Sequence, residues 1–331
     1  MLRVDVHNHF TPPEIVADAR RGNGIDGLRV ERDDGVEWMV HQRFRWQLQP
    51  TFYDLEARLQ AMDKLGVDLA LISMAPPLFM YWVADTSALV DLCRQANDEL
   101  AAFAAASDGR IEAVATLPMS DPDAAVTELR RAIGELGLKG AQIGPSVEDM
   151  PIDDPAVRPV LATAAELGAP VILHPYHVGP RPGLTDYYLY NLVGNPLEST
   201  VGAARLIFGG VLDELDRLKV LLIHGGGYLP YHIGRLDRGH LIRAENKGCR
   251  HAPSAYLRRF WYDTIVHGAG PLEFLIQQVG VDRVVYGTDF PFGMSGGSLL
   301  EQLDGVAIGD SDRARVAGGN AADLFGLGDG T

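Results

Sequence analysis

The sequence predicts an α/β protein of the (β/α)8 TIM-barrel kind, a closed ring of eight parallel strands wrapped in helices. Two observations predict it. Short apolar segments recur eight times with helical patterns between them, and strands alternating with helices imply a parallel sheet with right-handed crossovers. Residues able to bind metal stand at the C-terminal ends of four of those segments, which is where such a barrel places its site. A doubly wound open sheet is the alternative. It is disfavoured because a histidine pair, not a glycine-rich phosphate loop, follows the first strand.

Taken in order, the first strand is residues 3–9, with alternating apolar side chains that put His7 and His9 on one face and Asp5 one step deeper. Residues 10–53 form a long insertion with Gly22-Asn23-Gly24, Asp33-Asp34-Gly35 and several aromatics. An insertion of that length is expected to cover the active-site face of a single barrel domain spanning residues 1–331. A helix over 54–65 leads to strand two at 67–74. An amphipathic helix over 87–106 precedes strand three at 110–117. Asp121-Pro122-Asp123 caps a helix to about Leu136, ahead of strand four at 140–144. Asp154-Pro155 starts a helix to Leu167, and strand five is 170–174. The second half repeats the alternation: helix 196–215, strand six 218–224, helix 229–245, strand seven 260–265, helix 271–279, strand eight 283–289 and a last helix over 311–324.

Composition narrows the function. The 331 residues are 47% hydrophobic, enough for a sizeable core, and the net charge is -15. Nucleic acid and anionic membranes call for basic surfaces, so neither is an expected partner. A small anionic organic substrate needs only one or two placed arginines and stays open. The most apolar run, Leu69 to Ala84, contains Pro76-Pro77 and is too short to span a bilayer. Asp5, His7 and His9 fall where the apolar core of a signal peptide would lie. Cys93 and Cys249 are too few and too distant for a disulfide framework, which points to the reducing cytoplasm.

The chemistry concentrates at the strand ends. His7 and His9 end strand one, His174 strand five, His224 strand six and Asp289 strand eight. Neutral imidazole and carboxylate are ordinary ligands for zinc and its neighbours. Each has a bland reading alone: a satisfied core histidine, a turn residue before Gly225-Gly226-Gly227, an N-cap before Phe290-Pro291. Convergence of all five at one barrel mouth makes coincidence a poor account.

The segments VDVHNHF (4–10), ARLQAMDKLGVD (57–68), GAQIG (140–144), VILHP (171–175), IHGGGYLPYHIGRLDR (223–238), YGTDFPF (286–292) and GGNAADLFGL (318–327) resemble the metal-dependent amidohydrolase superfamily. The match is to the branch of aminocarboxymuconate-semialdehyde and resorcylate decarboxylases, and it runs nearly end to end. The resemblance implies one divalent ion, zinc or alternatively manganese, on His7, His9, His174 and Asp289, with His224 as the catalytic acid/base. Asp289 is implied as a ligand that can also deliver a proton. Keeping both histidines of His7-x-His9 leans toward the aminocarboxymuconate type. Strand four ends in Gln142-Ile143-Gly144, and Lys139 lies at its opposite end, so the bridging carboxylated lysine of binuclear relatives has no counterpart.

Substrate residues implied by the resemblance are Arg45, with Arg43 as competitor, and Arg235, donated across a homodimer interface. Arginine's planar fork suits a carboxylate. His177 stands where relatives carry a Trp-Asp pair, and His267 lies outside the shared motifs. Both are expected at the mouth. Trp46, Phe79, Tyr81, Trp82 and Phe292 are candidate apolar walls. The expected activity is non-oxidative decarboxylation of an unsaturated or aromatic carboxylic acid. The alternative is a hydrolase or hydratase that uses water activated by the same metal.

Overall fold

A computed structural model of the chain describes residues 2–176, 182–246 and 248–328. The first half runs β1 (Val4–Phe10), α1 (Pro13–Arg21), β2 (Arg29–Asp33), β3 (Val36–His41), β4 (Phe44–Gln47), α2 (Leu55–Leu65), β5 (Leu69–Met74), α3 (Thr86–Ala105), β6 (Ile111–Ala113), β7 (Ala115–Thr116), α4 (Pro122–Gly134) and β8 (Ala141–Ile143). A short hairpin, β9 (Ser146–Val147) and β10 (Met150–Pro151), leads to α5 (Arg158–Leu167) and β11 (Val171–Leu173). The second half has α6 (Asn195–Phe208), α7 (Val211–Glu214), β12 (Val220–Leu222), α8 (Leu229–Ile242), β13 (Phe260–Asp263), α9 (Ala269–Val279), β14 (Val284–Val285), α10 (Leu299–Leu303), α11 (Asp310–Ala314) and α12 (Asn320–Phe325).

The parallel strands close on themselves. β1 pairs with β5 and β5 with β6, while β7, continuing β6 past Val114, pairs with β8. The order then runs β8, β11, β12, β13, β14. Closure back to β1 comes from the Val6 N–H to Tyr286 C=O bond (3.0 Å) and a parallel bridge between Asn8 and Phe290. The barrel's lower interior is apolar: Val4, Val6, Leu71, Val114, Ile172, Leu221 and Val285 pack together, and Ala321, Leu324, Phe325 and Leu327 cover that end. The larger core lies between the strands and the outer helices.

Capping follows the sequence signals. Asp54, Asp85 and Asp121 each accept the N–H three residues on, at Ala57, Ala88 and Ala124, satisfying a first-turn donor that the helix leaves open. Several expectations are corrected. The helix expected over 196–215 is two helices, broken at Gly209-Gly210, where Gly210 has φ +70°. Strand eight is only two residues long, because both the Thr288 and Asp289 N–H groups turn back onto the His7 carbonyl (3.2 and 2.7 Å). Residues 10–53, expected as a long insertion, fold into α1 and a β2-β3-β4 antiparallel meander.

β1 carries an irregularity that places its histidines. Asp5 pairs with Ala70 and Asn8 with Ile72, so two residues of β1 oppose Leu71 alone. This β-bulge shifts the alternation by one. Val4 and Val6 lie in the inner cluster, and past the bulge the odd-numbered His7 and His9 converge on the inner rim. Asp5, expected to share a face with His7, instead binds the Thr288 hydroxyl (2.7 Å) and the His7 N–H (3.1 Å).

Candidate metal centre

Four side chains meet at the C-terminal rim. His7 and His9 come from the end of β1, His174 follows β11, and Asp289 follows β14. All four are buried, and one ligand atom from each lies within 4.8 Å of the others. His9 Nε2 is 3.0 Å and His7 Nε2 3.4 Å from Asp289 Oδ1, and the His7 and His174 Nε2 atoms are 3.1 Å apart. His224 stands beside them, its ring centroid 5.4 Å from both His7 and His174, with Nδ1 unpartnered. It sits at φ +58° ahead of three glycines, and a Cβ on Gly227 would come within 2.0 Å of the Pro196 carbonyl oxygen. That turn needs glycine.

The groups behind the rings fix which nitrogens face inward. His7 Nδ1 lies 2.5 Å from Asp263 Oδ2, and Nδ1 of His174 bonds the Pro175 carbonyl oxygen. With both Nδ1 atoms donating, each ring in its neutral form aims its Nε2 lone pair at one point, an arrangement a cation relieves. Asp263, at the end of β13, is fully buried and also accepts the Gly225 N–H (2.7 Å). Sequence reasoning missed it, because its partner His7 lies 256 positions away in the chain.

Electrostatics agree. Burial lowers His9 to about 4 against the pull of Asp289. Burial and the neighbouring imidazoles hold His174 well below its usual value. Both are neutral donors at physiological pH. For His7, burial opposes charge, but the Asp263 hydrogen bond and the carboxylates around it outweigh burial and raise its pKa. Burial would raise Asp289, yet the His7 and His9 imidazoles bring it to about 2. Three imidazoles and one carboxylate, buried and convergent, form a site for a single divalent ion. Gln142 is already held by Ser73 Oγ (2.9 Å) and the Met74 carbonyl (2.9 Å). Lys139 pairs with Glu112 (3.6 Å). Neither adds a ligand for a second ion.

A cavity of about 400 Å³ opens on this centre, bordered by His174, His224, Asp289, Phe292, Trp46 and the strand-end loops. Phe292 packs on His9 (5.1 Å between centroids) and Phe52 (5.1 Å). Phe79, Tyr81 and Trp82 stand behind the wall, each packed on Tyr176, which borders the cavity. Arg43 and Arg45 both reach the rim, each already engaged. Arg45 lies over Trp38 (4.2 Å) and near Asp33 (3.4 Å), and Arg43 over Trp82 (4.5 Å) and near Glu148 (3.1 Å). Arg235 is exposed on α8 and does not border this cavity. His267 borders a separate hollow with Thr264 and Gln302 rather than the main cavity. His177 lies outside the described residues. Tyr188, Tyr190, Asn191 and Asn195 also border the cavity and had not been singled out in the sequence.

The profile of the amidohydrolase family matches residues 4–327. The chain is 32% identical to 2-amino-3-carboxymuconate-6-semialdehyde decarboxylase of Dictyostelium discoideum, over 98% of this chain and 92% of that protein. It is 30% identical to γ-resorcylate decarboxylase of a Rhizobium species, over 98% of both chains. Among solved structures it resembles dihydroxybenzoic acid decarboxylase of a Polaromonas species with bound manganese and 2-nitroresorcinol, an inhibitor. The TM-score is 0.74 at 25% identity, covering 98% of this chain and 97% of that one.

Proposed function

We propose, on the premise that the chain belongs to the amidohydrolase family, that it is a metal-dependent, non-oxidative decarboxylase of a small unsaturated or aromatic carboxylic acid. One observation carries the reading: the buried His7, His9, His174 and Asp289 set gives onto a largely apolar cavity of about 400 Å³, with His224, whose Nδ1 has no partner, beside it. That volume suits one small ring or diene acid. The similarity to two decarboxylases over nearly the whole chain supports it.

The ion, when bound, supplies positive charge that stabilises negative charge developing on substrate oxygen. Zinc is our assignment and manganese the alternative, because this donor set suits both and manganese is the ion in the Polaromonas enzyme. His224 is the acid/base. Burial, with His7 nearby, lowers it to about 4, so it enters the reaction neutral, as a base. It takes a proton from water in the cavity and delivers it to the carbon that carbon dioxide leaves, so a C–H bond replaces the broken C–C bond and hydroxide remains. Asp289 is the second candidate proton carrier. Phe292 and Trp46 exclude water from the reacting carbon, and Arg45, with Arg43, holds a remaining carboxylate or phenolate at the rim.

A homodimer in the cytoplasm completes the proposal. Tyr187, Tyr231, Leu241 and Ile242 are exposed apolar side chains, and Tyr231, Leu241 and Ile242 share α8 with Arg235, a combination that fits a partner subunit covering that helix and receiving its arginine. Neither cysteine forms a disulfide. No described helix is long and apolar enough to cross a membrane.

The deciding experiment incubates zinc- or manganese-loaded enzyme with carboxylated muconates and hydroxybenzoates. Carbon dioxide release with loss of one carboxyl group is expected. A product heavier by one water with no gas evolved would replace this reading with a hydrolase or hydratase.

A further inference from the structure

Arg58 of α2 is the largest fully buried side chain, at 1% exposure. It forms no ion pair among the described residues. Nη1 donates to Asn8 Oδ1 (3.2 Å), Nη2 donates to the His9 carbonyl oxygen, and Nε has no partner. The guanidinium also lies 5.2 Å from the ring centroid of Phe290, the residue after Asp289. A buried charge without a contacting counter-charge is costly, and an apolar side chain would pack there at lower cost if filling space were the only need.

What Arg58 grips is the bulge in β1. Opposite that bulge the regular ladder with β5 is interrupted between Asp5 and Asn8. Asn8 bridges the gap, its Nδ2 donating to the Asp5 carbonyl (3.1 Å) and the Leu71 carbonyl (3.3 Å). Its remaining amide oxygen is the atom that Arg58 holds. His7 and His9 flank Asn8 on either side, so the peptides bracketing Asn8 set the direction of both imidazoles. The same guanidinium touches the β1 end and the segment following Asp289, the two pieces of chain that supply three of the four metal ligands.

We infer that Arg58, acting through Asn8, is a positioning residue that holds the β1 bulge in the shape that aims His7 and His9 at one cation. The residue between the two histidines thereby gains a function that the His-x-His spacing does not reveal.

The inference rests on the metal centre and not on the reaction, and its test reads metal affinity. Chelator-stripped protein is titrated with Zn2+, and separately with Mn2+, against a fluorescent competing chelator, and the metal-induced shift in Tm is recorded. Arg58→Met, Arg58→Lys and Asn8→Ala are each expected to weaken binding at least tenfold, the range seen when groups behind metal ligands are removed. Arg58→Lys belongs in that set because an ammonium cannot reproduce the planar fork. The Arg58→Met/Asn8→Ala double variant should bind within about twofold of Arg58→Met alone, as expected for two residues acting as one unit. Asn97→Ala, which breaks a buried network of α3 with Thr116 and Glu128 that includes no metal ligand, should lower Tm and keep wild-type affinity. Wild-type affinity in Arg58→Lys and Asn8→Ala, or a double variant whose loss is the product of the two, overturns the inference. If Arg58→Met does not fold, those two single variants decide it. Failure of the wild type itself to bind metal would instead remove the centre on which the proposed function stands.

Discussion

His7 is pulled from both sides. Asp263 draws on Nδ1 at 2.5 Å and raises its pKa, while Nε2 faces His174 and Asp289. His9 and His174 are shifted the other way. A raised pKa means that His7 holds a proton to higher pH than an ordinary histidine, and metal binding requires that proton to leave. Binding near neutral pH is therefore expected to release up to one proton, from His7 and not from its two neighbours. Calorimetry in buffers of different ionisation enthalpy measures it, and no dependence on buffer would refute the assignment. In Asp263→Asn the amide no longer favours the imidazolium, so proton release should shrink, with affinity falling roughly 10–100-fold. The five rim residues were legible because each stands at a strand end with a distinctive side chain. Asp263 was not, because its meaning depends on a contact across 256 positions of sequence. Arg58 lies in a shared segment that gives no sign of its role, since nothing local tells a buried arginine from a surface one on an amphipathic helix.

At the scale of elements, the β2-β3-β4 meander supplies one wall of the cavity. Trp46 of β4 is 8% exposed and packs on Phe44 (5.2 Å), Phe52 (6.5 Å) and Phe292 (6.4 Å). Through Phe52 and Phe292 it joins the insertion to the barrel. Trp46→Ala is expected to cost about 3 kcal/mol of stability, the usual order for losing a large buried aromatic. Metal content should stay near wild type, while KM rises as the wall opens. Urea melts, metal analysis and steady-state kinetics check these in turn, and loss of metal would mean that the meander also organises the centre. The meander had a local signature. Asp34 and Gly35 both take positive φ (49° and 79°) at the β2-β3 turn, the Asp-Gly signal of a tight hairpin, and Val36–His41 has strand character. Its length and irregular flanks hid it. The β1 bulge had no such signature, because it is made by Asn8, Leu71 and Arg58 together. Strand lengths were overestimated for a related reason: apolar runs continue past the point where the Thr288 and Asp289 N–H groups leave the ladder for His7.

For the whole molecule, the eightfold alternation was readable because each strand-helix unit is a local pattern, and closure follows once eight such units are present. The arrangement divides the barrel interior. Its lower half is a sealed apolar plug under α12, and its upper half gathers Asp263, Asp289 and the imidazoles. Folding brings those carboxylates and inward lone pairs together in a poorly solvated space, so the ion should act as part of the fold as well as of the site. A ligand bound only by the native state stabilises it by RT ln(1 + [M]/Kd), about 2.7 kcal/mol at a hundredfold excess over Kd. For a chain of this size that corresponds to a rise in Tm of roughly 4 °C. Chelator treatment is therefore expected to lower Tm by that amount, and Zn2+ or Mn2+ to restore it in proportion to the logarithm of metal concentration. His9→Ala removes one of the four donors, so its Tm should no longer respond in that range. Scanning calorimetry at several metal concentrations is the measurement. A wild-type Tm unmoved by saturating metal would mean that the upper barrel is equally stable without its ion, contradicting the electrostatics that make His7, His9, His174 and Asp289 a cation site.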